Sequence, residues 1–137
     1  MKSIKSSQGF SLIELLVVLM ILGLIASVVV PNLIGQGEKA NASAAKTQIQ
    51  RLAMAIDEFY LDVGRPPQNL RDLVEPPGNS SSWNGPYVKN ALMNDPWDNP
   101  YMYRFPGQHR TYDIYSYGQD GSPGGEGPAA DINSWEF

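Results

Sequence analysis

Phe10-Ser11-Leu12-Ile13-Glu14-Leu15-Leu16-Val17-Val18-Leu19-Met20-Ile21-Leu22-Gly23-Leu24-Ile25-Ala26-Ser27-Val28-Val29-Val30 is an apolar run of 21 residues broken only by Ser11, Glu14, Gly23 and Ser27. A helix rises about 1.5 Å per residue, so the run spans roughly 30 Å, the thickness of a bilayer core. Leu, Ile, Val and Met occupy every side of such a helix, which excludes an amphipathic surface helix and predicts a transmembrane one. Before it stands Met1-Lys2-Ser3-Ile4-Lys5-Ser6-Ser7-Gln8-Gly9, basic and without acids. Positive charge ahead of a first span holds that end in the cytoplasm, so the chain beyond Val30 is expected on the far side. A secretory signal peptide shares the basic start, but its A-x-A cleavage site follows a shorter apolar core, and Ala26-Ser27-Val28 matches that only loosely.

Glu14 is the anomaly in this run. A carboxylate inside a membrane segment costs about 2.5 kcal/mol or more at the helix centre and usually marks function. Near the helix end it can also simply snorkel to the headgroups, and the residues alone leave both readings open.

Toward the C-terminus, Pro31 lacks a backbone donor and predicts a kink or break near Ser27–Pro31, with Gly35 and Gly37 loosening the next turn. Ile49, Leu52, Ala53, Ile56, Phe59, Tyr60 and Val63 then recur at spacings of three and four, one apolar stripe, while Arg51, Glu58 and Asp62 fall opposite. Gly64-Arg65-Pro66-Pro67 ends the helix. Between the two halves, Ala40 to Thr47 is small and polar, readable as a solvated stem or as the core of a bundle shared between subunits. The globular part is expected from about Ile49 to Phe137. Asn69 caps a short helix over Leu70–Val74, stopped by Pro76-Pro77. Tyr101, Tyr103 and Phe105 alternate with Met102 and Arg104 as a strand, Pro106–Arg110 turns, and Thr111–Tyr117 is the returning strand. The fold class is therefore α+β: a long N-terminal helix, half membrane and half amphipathic, packed on a small antiparallel sheet with a C-terminal loop.

Composition narrows the functions. Of 137 residues, 42% are hydrophobic and 18% charged, with 13 Gly and 11 Pro, which is too apolar for a disordered chain and fits one domain. With no cysteine there is no disulfide or thiolate metal site, and with one histidine no multi-histidine centre. A net charge of −4 and a pI near 4.8 exclude nucleic acid as a partner. His109 lies in a turn with no serine–acid relay around it, there is no phosphate loop, and Asp57, Glu58 and Asp62 read as a solvated helix face, so an enzyme is not expected. The aromatics from Trp83 to Tyr117 are read as core rather than a carbohydrate site, because a small head without disulfides must bury large rings. His109 itself reads as a surface turn residue.

Gly118 to Asp131 has no periodicity and carries Asp120, Glu126 and Asp131 among glycines. Such hard oxygen donors with a wrapping backbone suit Ca²⁺ better than Mg²⁺ or zinc, although the spacing is not that of an EF-hand. The same pattern is also that of an ordinary acidic turn.

Gly9-Phe10-Ser11-Leu12-Ile13-Glu14-Leu15 resembles the processing signal of the type IV pilin superfamily. Asp95-Pro96-Trp97-Asp98-Asn99-Pro100-Tyr101, Tyr112-Asp113-Ile114-Tyr115-Ser116-Tyr117-Gly118, Asp120-Gly121, Gly124-Gly125, Ala130-Asp131-Ile132 and Trp135 are similar to the major pseudopilin family of type II secretion, over nearly the whole chain. The resemblance implies a type IV pilin-like fold in three parts: a leader (1–9), a transmembrane and assembly helix (10–30) and a periplasmic head (31–137). It implies cleavage between Gly9 and Phe10 by a prepilin peptidase, N-methylation of Phe10, and pairing of Glu14 with the Phe10 ammonium of a neighbouring subunit. It implies a Ca²⁺ loop in which Asp120, Asp131 and the Tyr117 carbonyl are ligands and Glu126 substitutes for an acid or polar ligand that the family carries late in the loop. The implied partners are further copies in a homopolymer, minor pseudopilins, the inner-membrane platform and ATPase of the secretion system, an outer-membrane channel, and membrane lipid before assembly. The implied place is the bacterial inner membrane, then a periplasmic pseudopilus that helps drive folded proteins across the outer membrane. A type IV major pilin making surface fibres for adhesion or motility is the alternative; those commonly close a C-terminal loop with a disulfide, which this chain lacks.

Overall fold

A computed structural model describes residues 8–137, and for residues 31–34 the backbone alone. Most of the expected leader, residues 1–7, lies outside the described residues. The first helix, α1, runs Leu12–Val63, and the chain forms two compact units, one ending at Gly37 and the other spanning Glu38–Phe137. The helix continues through Pro31, so the expected interruption is not a break in secondary structure.

In the first unit, α1 starts at a serine cap: Ser11 Oγ accepts a hydrogen bond from Glu14 N at 3.2 Å. Ser11-Leu12-Ile13-Glu14 is the S-x-x-E spacing of a capping box, and the acid in the first turn meets the positive end of the helix dipole. Among the described residues, α1 is the one helix long and apolar enough to cross a membrane, with a mean hydropathy of 2.9 over its most apolar window and none of that window buried. Its side chains from Phe10 to Val30 are all exposed within the chain.

In the second unit, α1 lays Ala45, Ile49, Leu52, Ala55, Ile56 and Phe59 into the core. Those spacings of three, four and one hold the residues on one face. Two features differ from the pattern expected of the sequence. Tyr60 is 51% exposed, because it sits about 100° round the helix from Phe59. The unit also begins before Ile49, since Ala45 is fully buried and Ala42 packs beside it, so part of the Ala40–Thr47 segment serves the chain's own head. Trp97 Nε1 donates to Glu38 Oε2 at 3.2 Å, fixing the start of this unit.

After Val63 the chain turns at Gly64, and a single 3₁₀ turn follows over Leu70–Leu73. Asn69 caps it as expected, accepting from Asp72 N. The strands are β1 (Met102–Arg104), β2 (Asp113–Ser116) and β3 (Ile132–Asn133), antiparallel in the order β1-β2-β3. Tyr103 pairs with Ile114, and Ser116 with Ile132. The hairpin was legible in the sequence; β3 was not, because two residues show no alternation.

The aromatic cluster is core, as expected: Trp83, Tyr87, Trp97, Tyr103 and Tyr112 pack against the buried residues and Tyr101 joins them, although Phe105 stays 41% exposed. Three tyrosine hydroxyls tie this cluster to α1 and to the segment that follows it. Tyr101 donates to Gln48 Oε1 at 2.6 Å, Tyr112 to Asp57 Oδ1 at 3.1 Å and Tyr103 to the Pro67 carbonyl at 2.8 Å. Burial, with Asp72 nearby, pushes the Tyr103 hydroxyl up to about 12, and burial likewise raises Tyr101 and Tyr112, so all three remain donors at neutral pH.

His109 is more than a turn residue. Its ring stacks on Trp135 with centroids 3.9 Å apart, and Nδ1 lies 3.3 Å from Asp113 Oδ2. Asp113, almost fully buried, also accepts from Gln108 N at 2.7 Å, His109 N at 3.2 Å and Arg110 N at 3.2 Å. Burial works against the charged carboxylate, but these hydrogen bonds outweigh it and hold the group below the usual aspartate range. The hairpin turn is thus wound around one carboxylate at the start of β2.

Candidate functional site

Two places carry the functional residues read from the sequence, one in each unit. At the N-terminal end, Gln8, Gly9, Phe10 and Ser11 precede the helix without regular structure, and Phe10 is 84% exposed. Gln8, Gly9, Phe10 and Glu14 line a shallow cleft of about 210 Å³. The Gly9–Phe10 bond therefore lies in exposed, non-helical backbone. Glu14 lies in the first turn of α1, four residues beyond Phe10. Ser11, missed in the sequence reading, is what starts the helix there; its signal was the serine three residues before the glutamate.

The second place is the loop between β2 and β3. Gly118 opens it at φ +70°, and a side chain there would strike the Ala130 carbonyl oxygen at 2.7 Å. Gln119 N donates to the Pro128 carbonyl at 3.0 Å, closing the loop at its neck. Farther out, Gly125 takes φ +96°, and the Ala129 carbonyl oxygen occupies the place where a Cβ would stand. Only glycine allows the backbone to fold back on itself at these two points.

Asp120 sits just past the neck, its Oδ1 accepting from Ser122 N at 3.1 Å. Asp131 closes the loop immediately before β3; Oδ2 accepts from Gly124 N at 3.0 Å, whereas Oδ1 is buried with no hydrogen-bond partner. Glu126 is exposed and starts a 3₁₀ turn over Gly127–Ala129. Tyr117 lies between Ser116 at the end of β2 and Gly118 at the neck, which sets its carbonyl at the loop entrance. Among the described residues no three Asp, Glu or His side chains converge as a metal cluster, so Asp120, Glu126 and Asp131 do not meet as a triple carboxylate. What the loop carries for a cation is hard oxygen: the carboxylates of Asp120 and Asp131 and the main-chain carbonyls between them in sequence. A buried carboxylate oxygen without a donor costs on the order of 1–3 kcal/mol, more when charged, and a cation beside Asp131 Oδ1 would remove that cost. The donor set fits Ca²⁺, which mixes carboxylates with carbonyls.

A long N-terminal apolar helix that continues into a small antiparallel head, with a glycine-rich loop at its end, is the type IV pilin-like arrangement. The crystal structure of the major pseudopilin from the type 2 secretion system of enterohaemorrhagic Escherichia coli superposes with a TM-score of 0.62 at 36% identity, covering 80% of this chain and 99% of that one. A family model described as Type II secretion system (T2SS), protein G matches residues 32–135, and one described as a prokaryotic N-terminal methylation motif matches residues 4–30. The type II secretion system core protein G of Vibrio cholerae is 45% identical over the whole of this chain and 97% of its own length. That of Xanthomonas campestris is 43% identical over 90% of this chain and 87% of its own. The chain belongs to the type II secretion system protein G family.

Proposed function

We propose that this chain is the major structural subunit of a type II secretion pseudopilus, which polymerises to drive folded proteins across the outer membrane. The observation that carries the reading is the junction at Phe10: an open Gly9–Phe10 bond, a serine-capped helix start and Glu14 one turn on, at the foot of an apolar helix with no cover of its own. Prepilin peptidase cleaves after Gly9 and methylates Phe10. The helix stays in the inner membrane with the head in the periplasm until the platform and its ATPase extract it. In the filament, copies of the same helix replace lipid around Phe10–Val30, and minor pseudopilins cap the end. Glu14 draws each incoming subunit into register by pairing with its Phe10 ammonium. No step of this work is chemical catalysis by the chain. Membership of the protein G family favours this role over that of a surface-fibre pilin.

Ca²⁺ belongs to the same reading. Asp120, Asp131 and the Tyr117 carbonyl would hold it, with Glu126 as a further oxygen donor. The ion's part is charge neutralisation and cross-linking of the loop: it satisfies Asp131 Oδ1 and offsets the entropy of ordering a segment so rich in glycine.

Glu14→Leu tests the assembly reading. The variant should insert and lose residues 1–9 as the wild type does, yet fail to enter cross-linked or sheared filaments. Wild-type incorporation of a processed Glu14→Leu subunit would refute the pairing.

A further inference from the structure

We infer that Asp95 is a positioning residue for the calcium loop, acting through Ser116 and Asn99 on Gly118 without touching the ion. The inference rests on the calcium reading above and concerns residues that reading does not use.

Asp95 is only 5% exposed, and its side chain is fully engaged. Oδ1 accepts from Trp97 N at 3.0 Å and from Asn99 N at 2.9 Å, which curls residues 95–99 around their own carboxylate. The main chain closes the same turn, with Asp95 N donating to Asn99 O at 2.8 Å. Oδ2 accepts the hydroxyl of fully buried Ser116 at 2.5 Å.

Two arms run from this hub to one residue. Ser116 Oγ accepts from Gly118 N at 3.0 Å, and since a hydroxyl has a single proton, that proton is committed to Asp95. Asn99 Nδ2 donates to Gly118 O at 2.9 Å. Both polar main-chain groups of Gly118 are therefore held by side chains whose places Asp95 sets. Gly118 is the neck of the loop: Asp120 follows two residues later, and Ala130, against which Gly118 packs, directly precedes Asp131. Asn99 also lies 3.1 Å from the Cβ position of Gly121, beside Asp120 on its other side. A shift at Gly118 changes the separation of the two aspartates, and ion affinity falls steeply when ligands must be drawn together. Residues 95–99 are unrelated to the loop in sequence, which is why spacing within the loop gave no sign of them.

Asp95→Asn separates the roles of this carboxylate. The amide oxygen can still accept from Trp97 N and Asn99 N, but the amide nitrogen then faces Ser116 Oγ as a donor, so the hydroxyl proton loses its acceptor. Asn99→Ala is a second, milder variant: it removes only the other arm and keeps the main-chain N–H that Asp95 uses. The full chain in detergent is stripped with EGTA and titrated calorimetrically with CaCl₂ well below its melting temperature, and each melting curve is also recorded in EGTA. Asp120→Ala serves as the ligand control and Ile49→Val as a core variant away from the loop. Both Asp95→Asn and Asn99→Ala should weaken calcium binding by about tenfold or more, within the range for residues that orient metal ligands, while Ile49→Val lowers the melting temperature in EGTA at unchanged affinity. Wild-type affinity in Asn99→Ala, or in a folded Asp95→Asn, would overturn the inference with the calcium loop intact. A wild-type chain that takes up no calcium would overturn the calcium reading and this inference with it.

Discussion

Asp113→Asn should remove about 2–4 kcal/mol from the head, a large share of the 5–15 kcal/mol typical of a folded domain. The carboxylate accepts Gln108 N, His109 N and His109 Nδ1 at Oδ2, and Arg110 N at Oδ1. An asparagine can place its nitrogen on either side. At the Oδ2 position it would confront two main-chain donors; at Oδ1 it confronts one, so the cheaper choice loses the bond from Arg110 N and leaves that N–H against another donor. One hydrogen bond to a charged group is worth about 1.5–3 kcal/mol, and the survivors weaken once the charge is gone. For a unit of this size 1 kcal/mol shifts the melting temperature by about 4–8 °C, so a fall of about 10 °C or more is expected. The effect carries a pH signature. Because the folded state holds Asp113 below its ordinary value of about 3.8, its stabilisation is complete above that value and disappears as pH falls through the lowered one. The gap between wild type and variant should be widest near neutrality and narrow progressively below about pH 4. Tryptophan-fluorescence melts of both proteins between pH 3 and 7 measure it. A loss under about 1 kcal/mol, or a gap that does not narrow in acid, would refute the view that the hairpin turn is organised by an ionised Asp113.

Two further outcomes follow from the loops. Chelation should lower the melting temperature of the full chain, and Asp120→Ala should abolish that dependence; identical curves with EGTA and with calcium would argue against the site. Asp98 adopts φ +66°, a left-handed conformation that costs a residue with a Cβ about 1 kcal/mol, and its Oδ1 is tied to Asn94 Nδ2 at 2.9 Å. Asp98→Gly should therefore be more stable than Asp98→Ala by about 1 kcal/mol in denaturation, and equal stabilities would contradict the backbone assignment.

The parts of this molecule that were legible in the sequence are those with a long-range pattern. The apolar run, the stripe from Ile49 to Phe59 and the alternation at Tyr101–Phe105 each repeat often enough to fix a period. Ala45 was missed because a methyl group carries little hydrophobic signal, though it packs as tightly as its larger neighbours. Tyr60 was misassigned because spacings of three and four tolerate either of two adjacent residues at the edge of a stripe. His109 looks like a plain turn residue in the sequence because its partners, Asp113 and Trp135, meet it only once the hairpin closes and β3 returns. The acids of the C-terminal loop were visible as hard donors, whereas the Asp95–Ser116–Asn99 frame that holds its neck depends on contacts between distant segments.

The mass of the protein purified from its native membrane, with sequencing of its first residue, shows directly whether the chain is processed at Gly9 for assembly. A pseudopilus subunit should lack residues 1–9, begin at Phe10 and bear one extra methyl group on its α-nitrogen. An intact Met1 terminus, or a cut beyond Val30 that discards the apolar helix, would contradict it.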